Sequence, residues 1–134
     1  MISDQGKLVL DTDALTHSII GCAFRVANEL GSGFLEKVYE NALRIELEAA
    51  GHEVKQQTPL VVRYHGETVG EYVADLLVDG QVLIELKSVQ SISPAHYAQC
   101  KNYLAATELD VCLLLNFGPT KLEHKRILRN SLSD

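Results

Sequence analysis

Asp75 is followed ten residues on by Glu85-Leu86-Lys87, so two acids and a lysine interrupt stretches otherwise rich in valine, leucine and isoleucine. Carboxylate and backbone carbonyl oxygens are the hard donors that magnesium and manganese prefer. With Asp75 and Glu85 as ligands and the Leu86 carbonyl beside them, Lys87 would stand next to a coordinated water. There it could orient that water and stabilise negative charge building on a phosphoryl oxygen during hydrolysis. An ionised carboxylate inside an apolar strand is costly unless it is paired or bound to a cation, so these acids ask for a reason. The plain alternative is a Glu85–Lys87 ion pair at a strand end, with Asp75 in solvent.

The two-residue side-chain period of a strand sets where these groups point. Over 71–78, Tyr72, Ala74, Leu76 and Val78 share one side, and Val73, Asp75 and Leu77 the other. In the next stretch Val82, Ile84 and Leu86 oppose Leu83, Glu85 and Lys87. An ideal two-residue turn at Asp79-Gly80 would put Asp75 and Glu85 on opposite faces. A shared site therefore requires a bulge or a three-residue loop at 79–81.

Two helices are expected ahead of this hairpin. Leu15, Ile19, Cys22, Ala23, Val26 and Leu30 recur at helical spacing after an Asp11 or Thr12 cap, predicting a helix over 13–30 that stops at Gly31. Leu35, Val38, Ala42, Ile45 and Ala49 predict a second over about 34–50, stopped by Gly51. With Gly33 as its cap, Glu36 falls at the third helical position, where a carboxylate serves backbone N–H groups and the helix dipole. The β-branched residues of 54–89, broken at His65-Gly66 and Asp79-Gly80, predict three mostly antiparallel strands. Ser93-Pro94 starts a third helix reaching about Thr107, Val111–Phe117 reads as a buried strand, and 121–128 as either a strand or a helical tail. Pro59, Pro94 and Pro119 are read as falling between these segments. The order α-α-β-β-β-α-β describes one α/β (α+β) domain with a mixed sheet, an antiparallel three-stranded unit and flanking helices.

Composition narrows the function classes. The 134 residues, 46% hydrophobic and 22% charged, suit one globular core without disulfide or metal staples. The three cysteines, Cys22, Cys100 and Cys112, are too few and too scattered for a disulfide framework or thiolate cluster, and read as buried apolar residues. The absence of a long apolar run and of a leader-like start argues against a membrane and for the cytoplasm. A net charge of −6 cannot attract a polyanion by its overall field, so nucleic-acid binding would need a bound cation or a local basic patch. Lys121, Lys125, Arg126 and Arg129 form the one basic cluster that could contact phosphates. His96 could reach the same rim as Gln99, and the other histidines, His17, His52, His65 and His124, have no zinc-site spacing.

The segment Gly33-Phe34-Leu35-Glu36-Lys37-Val38-Tyr39 resembles the signature of the bacterial GxxExxY family. Asp75, Glu85-Leu86-Lys87 and Gln99-Cys100-Lys101-Asn102-Tyr103 resemble the same family, over roughly residues 13–120. It is placed in the PD-(D/E)XK nuclease superfamily, and the resemblance implies a restriction-endonuclease-like core. It further implies that Asp75 and Glu85 bind magnesium or manganese, that Lys87 is the catalytic lysine, and that Glu36 is a further acid. Gln99 and Tyr103, four apart on one helical face, are similar to a Gln-xxx-Tyr element that supports the site in RecB-like members. Ala74 stands where the superfamily motif has its proline, and the four cysteines of the iron–sulfur branch are missing. The activity implied is metal-dependent hydrolysis of DNA or RNA. The alternative is an inactive nuclease-fold module that binds a protein or nucleic-acid partner, or a second copy of itself.

Overall fold

A computed structural model describes residues 11–129. Residues 1–10, read above for a leader, and 130–134 lie outside the described part. The elements run α1 (Thr12–Leu30), α2 (Glu36–Ala49), β1 (Val54–Tyr64), β2 (Glu67–Val78), β3 (Val82–Lys87), α3 (Pro94–Thr107), β4 (Val111–Asn116) and β5 (Glu123–Leu128). The strands form a mixed sheet in the order β1-β2-β3-β4-β5. All neighbouring pairs are antiparallel except β3 and β4, which run parallel and are joined through α3, as a parallel pair requires a crossover.

Burial on both sheet faces explains the sequence pattern. Leu15, Ile19, Cys22, Ala23 and Val26 of α1 and Tyr39, Leu43 and Leu47 of α2 pack on Leu76, Val78, Ile84, Leu86, Leu113 and Leu115. On the other face Cys100, Tyr103 and Leu104 of α3 pack on Leu83, Cys112, Leu114 and Ile127. Strand β4 is buried along its whole length because its residues alternate between these two clusters. The three cysteines are free and buried, as their composition suggested.

Several boundaries differ from expectation for identifiable reasons. Pro59 lies within β1, paired across to Val73, rather than between segments. An edge strand leaves one row of N–H positions unpaired, which tolerates proline. The segment read as a strand or a helical tail is a strand, β5, held along β4. The cap of α2 is Leu35 rather than Gly33, so Glu36 is its first residue. Asp11 does cap α1, accepting the Ala14 N–H at 2.7 Å.

Candidate active site

The β2–β3 hairpin has the three-residue loop that a shared acidic site requires. Val78 pairs with Val82, Leu77 with Leu83 and Leu76 with Ile84, leaving 79–81 as the connection. Asp79 and Gly80 both take positive φ, 52° and 64°, and Gln81 N–H donates to the Val78 carbonyl at 3.0 Å. The next step of that register sets Asp75 against Glu85. There the ladder gives way to side chains: Asp75 N–H donates to Glu85 Oε1 at 2.9 Å, and Leu86 N–H donates to Asp75 Oδ2 at 2.8 Å.

The strict alternation expected for β2 breaks at this point. Ala74 joins the α3 cluster, whereas Leu76 and Val78 join the α1–α2 cluster, so the expected common side of Ala74 with Leu76 is not observed. Opposite Asp75, the β1 ladder skips Gln57, which sits at φ 51° between the pairs Gln56–Leu76 and Thr58–Ala74. A non-glycine residue in the left-handed region costs on the order of 1–2 kcal/mol and marks a constrained place.

Glu85 is 3% exposed and Asp75 half-buried. Burial, together with the Asp75 charge, pushes the Glu85 carboxyl up to about 8, against the pull of the Asp75 N–H and of Lys87. Burial likewise raises Asp75, opposed by the Leu86 N–H and the Lys87 charge and reinforced by Glu40 and Glu36. Lys87 is half-buried and forms no ion pair among the described residues. The Glu85–Lys87 ion pair expected as the plain alternative is therefore absent, while the ammonium still bears electrostatically on both acids.

Helix α2 brings its first turns to this end of the sheet. Glu36 is exposed, but Glu40, one turn on, is 4% exposed and was not singled out by the sequence. Its carboxylate accepts from Lys37 Nζ at 3.0 Å, Gln56 Nε2 at 2.7 Å and Gln57 Nε2 at 2.9 Å. The i, i+4 relation of Glu36 and Glu40 on one helical face was the available signal. Tyr39, fully buried, donates its hydroxyl to the Gly31 carbonyl at 2.6 Å and accepts the Phe34 N–H at 3.2 Å. It stacks on Phe117 at 4.5 Å and fixes the loop before α2, where Gly33 has φ 113°. Its hydroxyl serves backbone rather than a site carboxylate.

From the other face, Tyr103 of α3 donates its hydroxyl to the Val73 carbonyl at 3.2 Å, two residues before Asp75. Burial raises its pKa, and the Glu85 and Asp75 charges add to that rise. Gln99 is half-buried one turn earlier and bonds neither carboxylate. The chain beyond Lys87 is pinned by buried Asn116, whose Oδ1 accepts from Val89 and Gly118 N–H groups at 3.0 and 3.1 Å. Phe117 N–H donates to the Lys87 carbonyl at 2.8 Å.

Other sequence candidates lie elsewhere. His96 Nδ1 accepts the Ser93 N–H at 3.1 Å, a helix-capping role. Arg126 and Arg129 lie at the β5 side of the sheet and pair with Asp13 and Asp110, so the basic cluster is partly neutralised and lies two strands from Glu85 and three from Asp75. His52 is buried, with Ser18 Oγ 2.8 Å from Nε2 and Asp79 Oδ2 2.8 Å from Nδ1. This Ser–His–Asp chain ties α1 to the hairpin turn. Ser18 lies inside a helix whose backbone N–H groups are already committed, so no backbone donors face its oxygen as an acyl-transfer site would need.

The sequence matches the model of the PD-(D/E)XK nuclease superfamily over residues 13–127. The chain belongs to the PD-(D/E)XK nuclease superfamily. Its fold is that of solved relatives: the crystal structure of SSO0001, at TM-score 0.56 and 16% identity, matches 69% of this chain and 50% of that one. The alkaline exonuclease LHK-Exo from Laribacter hongkongensis, at TM-score 0.52 and 16% identity, matches 92% of this chain and 73% of that one. This chain thus spans half the length of the first of these structures. No curated protein matches it. No helix among the described residues is long and apolar enough to cross a membrane.

PD-(D/E)XK nucleases generally use divalent metal ions. Among the described residues no group of three histidine, cysteine or acidic side chains is arranged to hold one. Asp75 and Glu85 nevertheless fit a magnesium-type ion, which commonly takes one or two carboxylates and completes its shell with water and phosphate. Each carboxylate commits one oxygen to a backbone N–H, leaving the other available. Burial first and the Asp75 charge second raise Glu85, and a cation between the two carboxylates would offset both.

Proposed function

We propose that this chain is a metal-dependent nuclease of the GxxExxY type that hydrolyses phosphodiester bonds in DNA or RNA. The observation that carries the reading is the facing of Asp75 and Glu85 across the three-residue hairpin, half-buried and buried, with unpaired Lys87 on the same strand. Superfamily membership supplies the reaction class.

Asp75 and Glu85 would hold magnesium or manganese through their second oxygens, with the Leu86 carbonyl as a further donor. When bound, such an ion polarises a phosphoryl oxygen and makes water more acidic. Lys87 donates to the attacking water and stabilises charge on the phosphoryl oxygens. Glu36, exposed at the start of α2, adds a carboxylate at the rim that can accept a proton from solvent-borne water. Tyr103 acts through the backbone, holding the β2 carbonyl beside Asp75, and Gln99 supplies an amide near the same edge. Glu40, held by three donors, anchors α2 against β1 where Gln57 faces Asp75.

The test is cleavage of single- and double-stranded DNA and RNA by the purified protein in magnesium, manganese or EDTA, beside Lys87→Ala and Asp75→Asn. Divalent-dependent products are expected from the wild type. Removing one charge-stabilising donor should slow Lys87→Ala by roughly 10²–10³-fold. Equal turnover by Lys87→Ala removes the mechanism, and no product under any condition favours a partner-binding module on the same fold.

A further inference from the structure

Two exposed aromatic rings neighbour the segments that carry the acids, one in the loop before α2 and one on β2, each resting on a tyrosine of a helix. Phe34, just before α2, is 46% exposed, and its carbonyl accepts Ser88 Oγ at 3.1 Å, next to Lys87 in the chain. Its ring meets Tyr39 edge-on at 6.1 Å, so it stands on a fixed base. Tyr72, three residues before Asp75 on β2, is 37% exposed and meets Tyr103 of α3 at 5.5 Å. Tyr39 and Tyr103 belong to the clusters on opposite sheet faces. The two exposed rings are therefore held toward opposite faces of the sheet, Phe34 beside the chain that follows Lys87 and Tyr72 on the strand that carries Asp75.

We infer that Phe34 and Tyr72 are base-stacking platforms, and that the substrate is a single strand whose bases on either side of the reacting phosphate lie against them. This rests on the nuclease reading and specifies its substrate. Electrostatics point the same way. With a net charge of −6, and with Arg126 and Arg129 committed to Asp13 and Asp110, the chain has little positive field to hold a duplex by its phosphates. Stacking supplies affinity independent of field and sequence, since every base offers a π face. In a duplex those faces are occupied by neighbouring base pairs, whereas a single strand can turn them outward.

The experiment measures binding in magnesium by the Lys87→Ala protein, which slows cleavage, using fluorescence anisotropy. The probes are an oligothymidylate, the same length of abasic strand, and a blunt duplex. Expected are preference for the oligothymidylate over both others, and a loss of about 5- to 100-fold when Phe34→Ala or Tyr72→Ala is added. Phe34→Leu, which keeps apolar volume, should lose nearly as much, while Leu128→Ala on β5 should lose nothing. The chain has no tryptophan, so quenching of tyrosine emission by oligothymidylate, diminished in Tyr72→Ala, reports the contact directly. Equal binding of abasic and normal strands, or preferred binding of the duplex, overturns the stacking assignment. Strand binding with this pattern but no cleavage by the wild-type protein overturns the nuclease reading alone, and no binding of any probe by either protein overturns both.

Discussion

Glu85 is asked to be buried and, when a cation is bound, to be charged. Burial and the Asp75 charge push its carboxyl up to about 8 from the ordinary 4.5, whereas in the unfolded chain it titrates at the ordinary value. Between those two points the folded protein binds more protons than the unfolded one, so stability falls as pH rises. At about 1.4 kcal/mol per unit, the gap corresponds to an upper limit of roughly 5 kcal/mol for the metal-free protein. Relaxation and water entry around the ionised group bring the measurable loss to the order of 2–3 kcal/mol. Asp75, also raised by burial, acts in the same direction. Glu85→Gln deletes the charge and keeps an Oε1 acceptor for the Asp75 N–H. In EDTA its urea midpoint should match wild type near pH 5 and correspond to ~2 kcal/mol greater stability near pH 9. Adding magnesium or manganese near pH 8 should stabilise the wild type and leave Glu85→Gln almost unmoved. A flat wild-type profile, or the same slope in the variant, refutes the buried charge. Equal stabilisation by the cation refutes Glu85 as a ligand.

Glu40→Ala strips an acceptor from Lys37, Gln56 and Gln57 at a buried position, and should lower stability by about 2 kcal/mol in thermal melts, with Glu40→Gln losing less. His52→Ala breaks the chain from Ser18 to Asp79 and should cost about 2–3 kcal/mol. Hydrogen exchange at the Glu53 amide, which donates to Asp79 at 2.8 Å, should quicken along with it. A Cβ at Gly118 would come within 2.0 Å of the Val89 carbonyl oxygen, so Gly118→Ala must displace that backbone. Destabilisation of about 2 kcal/mol or more is expected, with a cleavage defect out of proportion to the fraction unfolded because Val89 follows closely on Lys87.

The helices and the two buried strands were legible because their apolar residues repeat at a single period over many turns, as Leu15–Val26 and Val111–Phe117 do. The hairpin loop was legible for a different reason: Asp75 and Glu85 could share a face only if the connection had an odd length, and the observed 79–81 loop meets that condition. Period alone failed where tertiary contacts overrode it. Nothing local announces that β2 breaks its alternation at Asp75, because the break is imposed by α3 drawing Ala74 to one face and by the α1–α2 layer drawing Leu76 to the other. The cap of α2 was misjudged for a similar reason. Tyr39 bonds the loop backbone at Gly31 and Phe34, and that contact lets Leu35 begin the helix without a side-chain cap. Glu40 went unnoticed because its burial depends on two glutamines from β1, one of them in a backbone conformation that sequence does not disclose.

The acidic balance of the chain and its proposed reaction are reconciled at one place in the fold. Two like charges facing across a hairpin are costly without a counter-ion, and Lys87 supplies only part of the compensation, since Glu85 remains raised despite it. A divalent ion would convert this repulsion into attraction and turn the local field from negative to positive. Phosphate affinity at the site would then depend on the ion, while the rest of the surface continued to repel a polyanion. Recognition beyond one phosphate must come from uncharged contacts, and the rings of Phe34 and Tyr72 are placed to provide them. On that reasoning, raising salt should weaken strand binding far less than it weakens a typical basic nucleic-acid-binding protein, because few protein cations replace counter-ions along the strand. A steep salt dependence would show that phosphate contacts dominate and that stacking does not.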